Sequence, residues 1–185
     1  MKQALVVIDA QQELIEGNDK EQAVYRKDEL LETINAVIEK AKEANAPIIF
    51  VRDKDVADGE GDGFQVHQAI QIPGTASYFD KYATNAFYNT GLLEYLQAND
   101  IQHVVIMGCK TEHCIDTAVR TATIHGLDVT LVADGHSTNG SDYLSPEDTV
   151  AHHNNILHGH YNVDHFSLVR SADEALFEPT HNRYR

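Results

Sequence analysis

The sequence predicts an α/β fold built on a mostly parallel sheet. Three observations carry this reading. Five short β-rich runs are apolar on both faces, the pattern of strands buried between two layers. Amphipathic stretches with helical spacing lie between them. The two kinds of segment alternate along the chain, as parallel strands joined by crossover helices do. At 185 residues the chain suits one domain with a sizeable core.

Ala4–Ile8 is the first strand. Leu30, Leu31, Ile34, Val37, Ile38 and Ala41 repeat at helical spacing, which predicts an amphipathic helix over Asp28–Asn45. Pro47–Val51 is the second strand, and the Asp- and Gly-rich stretch Asp53–Gly63 reads as a loop. Ser77–Asp80 is a weaker strand candidate. Leu92, Leu93 and Leu96 mark a short helix, and His103–Met107 is the next strand. Ile115, Ala118, Val119 and Ala122 give Glu112–His125 a helical stripe, followed by a strand over Asp128–Ala133. Ser145-Pro146-Glu147-Asp148 reads as a helix start, with serine as the cap and proline at the first helical position. That helix is expected to end near Gly159, before a last strand over His165–Val169. The domain is thus expected to span residues 1–177. Glu178–Arg185 shows no apolar periodicity, so this tail is expected to be disordered or to lie on a partner subunit.

A formal net charge of −15 repels nucleic-acid phosphate and anionic lipid, so neither is an expected partner. Only two cysteines, Cys109 and Cys114, are present, too few for the disulfide framework of a small secreted protein. The opening apolar run Ala4–Ile8 is too short for a signal peptide and stops at Asp9. No stretch approaches the roughly 20 apolar residues of a membrane helix. A cytoplasmic location is therefore expected.

Three residues stand out chemically. Asp9 ends the first strand, at the sheet edge where open α/β sheets bind ligands. It could also cap a helix or a turn. Cys114 falls in the first turn of a helix, where unpaired amides and the positive dipole end stabilise a thiolate. A small buried core residue is the plainer alternative, and Cys109, within a strand end, fits that description better. Lys81 follows the weak strand candidate and could lower a thiol pKa by its charge, or simply be a solvated surface lysine. Taken together, all three fall at C-terminal ends of expected strands. A nucleophile, a proton acceptor and a cation would then converge on one sheet edge. His152, His153, His158 and His160 cluster in the sequence without a zinc-ligand spacing and read as helix-surface residues.

Four segments, in order, carry a resemblance. Ala4-Leu5-Val6-Val7-Ile8-Asp9-Ala10-Gln11 opens the chain. Lys81 is followed by Asn85-Ala86-Phe87. Then comes Val104-Val105-Ile106-Met107-Gly108-Cys109-Lys110-Thr111-Glu112-His113-Cys114-Ile115-Asp116-Thr117-Ala118. Val129-Thr130-Leu131-Val132-Ala133-Asp134-Gly135-His136-Ser137-Thr138 completes the set. Over roughly Lys2 to Leu176 the chain resembles the isochorismatase-like superfamily of cysteine hydrolases. The resemblance implies Cys114 as nucleophile with Asp9 and Lys81 as the other members of a catalytic triad. It implies a doubly wound, Rossmann-like, six-stranded parallel sheet of order 3-2-1-4-5-6 with helices on both faces, so that Asp9 and Cys114 meet at the topological switch point. It also implies an oxyanion hole from the backbone N–H groups of Lys110 and Cys114, a cis peptide between Cys109 and Lys110, and a homodimer or homotetramer. Tyr82, Phe87, His113 and His136 neighbour the matched segments and are candidate pocket residues, or else packing.

In the family pattern, isochorismatases that hydrolyse a vinyl ether lack the nucleophilic cysteine. Cys114 therefore implies the amide-cleaving branch, acting on a small-molecule amide without a cofactor. Nicotinamidases of that branch hold a metal through an Asp-x-His element and a further histidine. Here the element reads Asp53-Lys54-Asp55, with His67 later, so no metal is expected and a metal-dependent nicotinamidase is the alternative. An alternative of another class is a non-catalytic binding protein on the same fold. The intact Asp9, Lys81 and Cys114 speak against it.

Overall fold

The computed structural model describes residues 1–178 and 180–185; Pro179 lies outside them. Seven strands are present among the described residues: β1 (Lys2–Ile8), β2 (Ile48–Asp53), β3 (Ser77–Lys81), β4 (Ile101–Cys109), β5 (Asp128–Ser137), β6 (Tyr161–Asn162) and β7 (His165–Arg170). They form one sheet of order β3-β2-β1-β4-β5-β7-β6. Every pairing is parallel except β6 with β7. The expected six-stranded order is therefore present, with a two-residue antiparallel strand added at one edge.

The helices are α1 (Gln12–Glu16), α2 (Lys27–Glu43), α3 (Gly61–Phe64), α4 (Leu92–Ala98), α5 (Asp116–Ile124) and α6 (Pro146–Leu157). Alternation along each strand splits the core into two layers. Leu5, Val7, Ile48, Phe50, Val105 and Met107 pack with Leu30, Ile34, Val37 and Ile38 of α2. Ala4, Val6, Ile8, Ile49, Val51, Val104 and Ile106 pack on the other face with Leu92, Leu96, Ile115, Ala118, Val119 and Ala122. Ser145 caps α6, its Oγ accepting from the Asp148 N–H at 3.0 Å, as the Ser-Pro-Glu-Asp pattern predicts.

Two stretches depart from expectation. Asp53–Gly63 is not a plain loop: β2 runs on to Asp53, and a 3₁₀ turn (Val56–Gly59) and α3 follow. These pieces are too short to leave a periodic signal. In the tail, His181 and Arg185 lie against this chain. His181 is buried, donates from Nε2 to the Val129 carbonyl at 2.9 Å and meets the His103 ring edge to face, with centroids 4.7 Å apart. Arg185 donates to both carboxylate oxygens of buried Asp128, at 2.6 and 2.7 Å. One histidine and one arginine on a buried acid hold this segment, and a search for apolar periodicity cannot see them. No helix among the described residues is long and apolar enough to cross a membrane.

Candidate active site

The parallel sheet brings the three sequence-selected residues to one edge. Asp9 follows β1 with φ +51°, a left-handed conformation that aspartate tolerates better than most residues. Its N–H donates to the Val51 carbonyl at 2.8 Å, which fixes it beside β2. Lys81 is the last residue of β3, in register with Asp53 of β2. Cys114 lies in a π-helical turn, Thr111–Ile115, between β4 and α5. The ends of β1 and β4 lie side by side, with Ile8 in register with Gly108. The approach there is so close that a Cβ on Gly108 would fall 1.9 Å from the Ile8 carbonyl oxygen.

The Lys81 ammonium is the centre of the site. Its Nζ lies 2.9 Å from Asp9 Oδ2, 2.5 Å from Asp53 Oδ2 and 3.4 Å from Cys114 Sγ. The side chains of Lys81 and Asp9 are 0% and 1% exposed, whereas Cys114 is half-buried. Asp9 meets Lys81 as an ion pair off hydrogen-bond alignment, and neither of its oxygens has an aligned donor among the described residues. Burial raises the Asp9 carboxyl to about 6, against the pull of Lys81. Burial also pushes the Cys114 thiol up to about 12; the charge of Asp9 adds to this and Lys81 opposes it. Burial works against the Lys81 ammonium, yet Asp9 and Cys114 outweigh it and hold its pKa above the ordinary lysine value. At neutral pH the site thus holds a carboxylate, an ammonium and a neutral thiol. Dehydration and the facing carboxylate outweigh the lysine here, so the thiol is held above its ordinary value.

The Cys109–Lys110 peptide is cis. The Lys110 carbonyl accepts from the His113 and Ile115 amides at 3.1 and 3.2 Å, and takes no bond from the Cys114 amide between them. The Lys110 side chain turns away to pair with Glu21. Cys109 is buried in the core as expected, and dehydration raises its thiol pKa.

The four pocket candidates separate. Tyr82 and His113 are exposed, and Phe87 packs partly against the core 5.9 Å from the His125 ring. His136 is buried among hydrogen-bond partners and lines a cavity with Tyr25, Ser137 and Asn154, a lining that does not include Asp9, Lys81 or Cys114. Its Nε2 faces Asn154 Oδ1 and its Nδ1 faces Thr111 Oγ1, both at 2.9 Å. Asn154 donates from Nδ2 to the Ala133 carbonyl at 2.9 Å, which makes Oδ1 the acceptor and puts the His136 proton on Nε2. His136 therefore braces the turn that carries Cys114.

The isochorismatase domain family matches residues 3–155. The chain belongs to the isochorismatase family. It is thus a hydrolase of that family, whose doubly wound sheet is the one described above. The chain is 26% identical over 144 residues to the isochorismatase family protein YrdC of Bacillus subtilis, covering 75% of each chain. It is 28% identical over 141 residues to streptothricin hydrolase of Streptomyces noursei, covering 74% of this chain and 50% of that one. A crystal structure of an isochorismatase family protein superposes with a TM-score of 0.81 at 29% identity, over 91% of this chain and 98% of the other.

The metal of nicotinamidase-type isochorismatase relatives does not fit these residues. Donor atoms of Asp9, Asp53 and Cys114 lie within 4.8 Å of one another, but the Lys81 ammonium already sits among them. Asp55, which stands where a histidine would, is exposed. His67 bonds Glu16 Oε1 through Nε2 at 2.9 Å and the Ala69 N–H through Nδ1 at 3.1 Å, so both ring nitrogens are used.

Two residues of the site escaped the sequence reading. In the sequence Asp53 reads only as part of a metal-ligand element, yet it binds Lys81. Gln11 reads there only as the end of the opening segment. Its Oε1 accepts from the Asp53 N–H at 2.7 Å, while its Nε2 donates to the carbonyls of Asp53 and Phe64 at 3.0 and 2.9 Å. The available signal was position: Asp53 follows a buried strand just as Asp9 does.

Proposed function

We propose that this chain is a cysteine hydrolase that cleaves a C–N amide bond of a small molecule through a thioester intermediate. The observation that carries this reading is Lys81 Nζ placed 2.9 Å from Asp9 and 3.4 Å from Cys114 Sγ in a nearly dehydrated site. The similarity to streptothricin hydrolase supports hydrolysis as the reaction class.

The chemistry follows from the protonation states. Asp9 takes the proton of Cys114 as Sγ attacks the amide carbon, and the carbonyl π electrons move onto oxygen. Lys81 balances the negative charge as it leaves the carboxylate and passes through sulfur. The backbone N–H groups of Lys110 and Cys114 hold the oxyanion. The tetrahedral intermediate then collapses, the C–N bond breaks, and Asp9 returns its proton to the departing nitrogen. A water molecule, deprotonated by Asp9, attacks the thioester carbon; the C–S bond breaks, Asp9 returns the proton to Cys114 Sγ, and the carboxylic acid product leaves.

A panel of small amides, read by product formation and by intact-protein mass spectrometry, tests this. Turnover with an acyl adduct on Cys114 is the expected result. Cys114→Ala should abolish turnover with the fold intact, and Cys109→Ala should keep it. Wild-type turnover by Cys114→Ala would end the covalent mechanism.

A further inference from the structure

The mechanism above leaves one charged group unused. Lys81 faces two carboxylates, and the one assigned to proton transfer is the more distant, at 2.9 Å against 2.5 Å for Asp53. The aligned hydrogen bonds of Nζ go to Asp53 and Cys114. Asp53 is held by its backbone, because Gln11 grips both its N–H and its carbonyl. The parallel register of β2 and β3 then sets its carboxylate beside Lys81. Its side chain is 16% exposed, while Asp9 is sealed at 1%.

We propose that Asp53 is a positioning residue that tunes the base of this site: by sharing the charge of Lys81 it leaves Asp9 with enough proton affinity to take the thiol proton. The proposal rests on the hydrolase reading above. Two carboxylates against one ammonium leave the cluster with a surplus negative charge while the thiol is neutral. A like charge disfavours the ionised form of a buried acid, and a cation divided between two partners stabilises each less. An Asp9 paired alone with Lys81 would be a weaker base, as a carboxylate beside a lone cation usually is. Asp53 in turn raises the proton affinity of Asp9, in the direction its charge requires.

The other charges nearby do not confuse this account. Asp9 is faced by Lys81 from β3, Asp53 from β2, Cys114 from the π turn and Cys109 from β4. Arg52 and Lys54 are drawn to Asp80, at 2.8 and 4.0 Å. Lys110 is drawn to Glu21, and Glu112 accepts from Thr138 at 2.7 Å.

Alkylation of Cys114 by iodoacetamide, followed by intact-protein mass spectrometry from pH 4.5 to 8, tests the proposal without a known substrate. With the thiol at about 12, reaction in this range needs a base, so the wild-type rate should rise through a midpoint near 6 as Asp9 ionises. Asp53→Asn keeps the Gln11 clamp and the side-chain acceptor but removes the charge. Its midpoint should fall by about one pH unit or more, the size of a close charge effect. Asp53→Glu keeps the charge and should hold the midpoint near that of wild type. An Asp53 that only supported the loop would change thermal stability and leave the midpoint in place. A wild-type midpoint in Asp53→Asn, or a midpoint in Asp53→Glu as low as in Asp53→Asn, overturns the proposal. Asp9→Asn separates the two readings. If it abolishes the inflection, Asp9 is the base and a failure in the Asp53 variants is a failure of Asp53 alone. If the inflection survives in Asp9→Asn, both readings fall.

Discussion

Buried ionisable residues set the pH behaviour of this protein, and they pull in opposite directions. His103 is held down to about 3 and His136 to about 4, in both cases chiefly by burial. His103 bonds the Gln3 side-chain amide through Nδ1 and Thr130 through Nε2, each at 2.8 Å. The Gln3 partner atom is itself a donor, so a second ring proton has no acceptor there. Unfolded histidine binds its proton near 6.5. Their contribution is therefore complete above pH 6.5 and is lost as pH falls toward 4 and 3. At pH 5 each should cost about 2 kcal/mol relative to pH 8. Asp9, raised to about 6, works the other way, because protonation favours its folded form as pH falls below that value. Urea denaturation of His103→Gln beside wild type isolates one term. The variant should lose about 2 kcal/mol less than wild type between pH 8 and pH 5. Equal losses would show that His103 does not resist protonation in the fold.

At the scale of elements, the close approach of β1 and β4 governs the geometry of the site. Gly108 has φ +126°, a region closed to side chains, and any Cβ there would strike the Ile8 carbonyl. Gly108→Ala must separate the two strands whose ends lead to Asp9 and Cys114. It should destabilise the fold by about 3 kcal/mol or more. Thermal melting reads this directly, and a wild-type melting temperature would show that the strands are not locked together here. The π turn Thr111–Ile115 is the second such device. The Lys110 carbonyl takes the His113 and Ile115 amides and passes over the Cys114 amide between them. Thr111, buried against His136, anchors the turn from behind.

At the scale of the whole molecule, the C-terminal segment closes the outer part of the sheet. Arg185 reaches Asp128, which is 1% exposed at its side chain, and also donates to the Asp164 carbonyl at 2.9 Å. Removing the arginine leaves a buried carboxylate with His165, at 3.4 Å, as its one remaining ion-pair partner among the described residues. Arg185→Ala should therefore cost about 2 kcal/mol, the scale of a buried charged group that loses its partner. Chemical denaturation checks this, and an unchanged midpoint would mean that the segment is only resting on the surface.

The layer order of the fold was legible in the residues themselves. Runs such as Ala4–Ile8 and His103–Met107 are apolar on both faces, and only strands covered on both sides keep that composition. The acids, the lysine and the cysteine at strand ends were legible for the same reason, since a parallel sheet gathers the C-terminal ends of its strands at one edge. The partnership of Asp53 with Lys81 was not. It depends on the register of β2 against β3 and on a glutamine 42 positions away in the chain gripping a backbone. The neutral state of the Cys114 thiol was hidden too, because sequence shows the helix start that favours a thiolate but not the dehydration and the facing carboxylate that oppose it. Periodicity is a local property written in neighbouring residues, whereas proton affinity and ion pairing are set by distances across the fold. Those distances exist only once the chain has closed around Lys81.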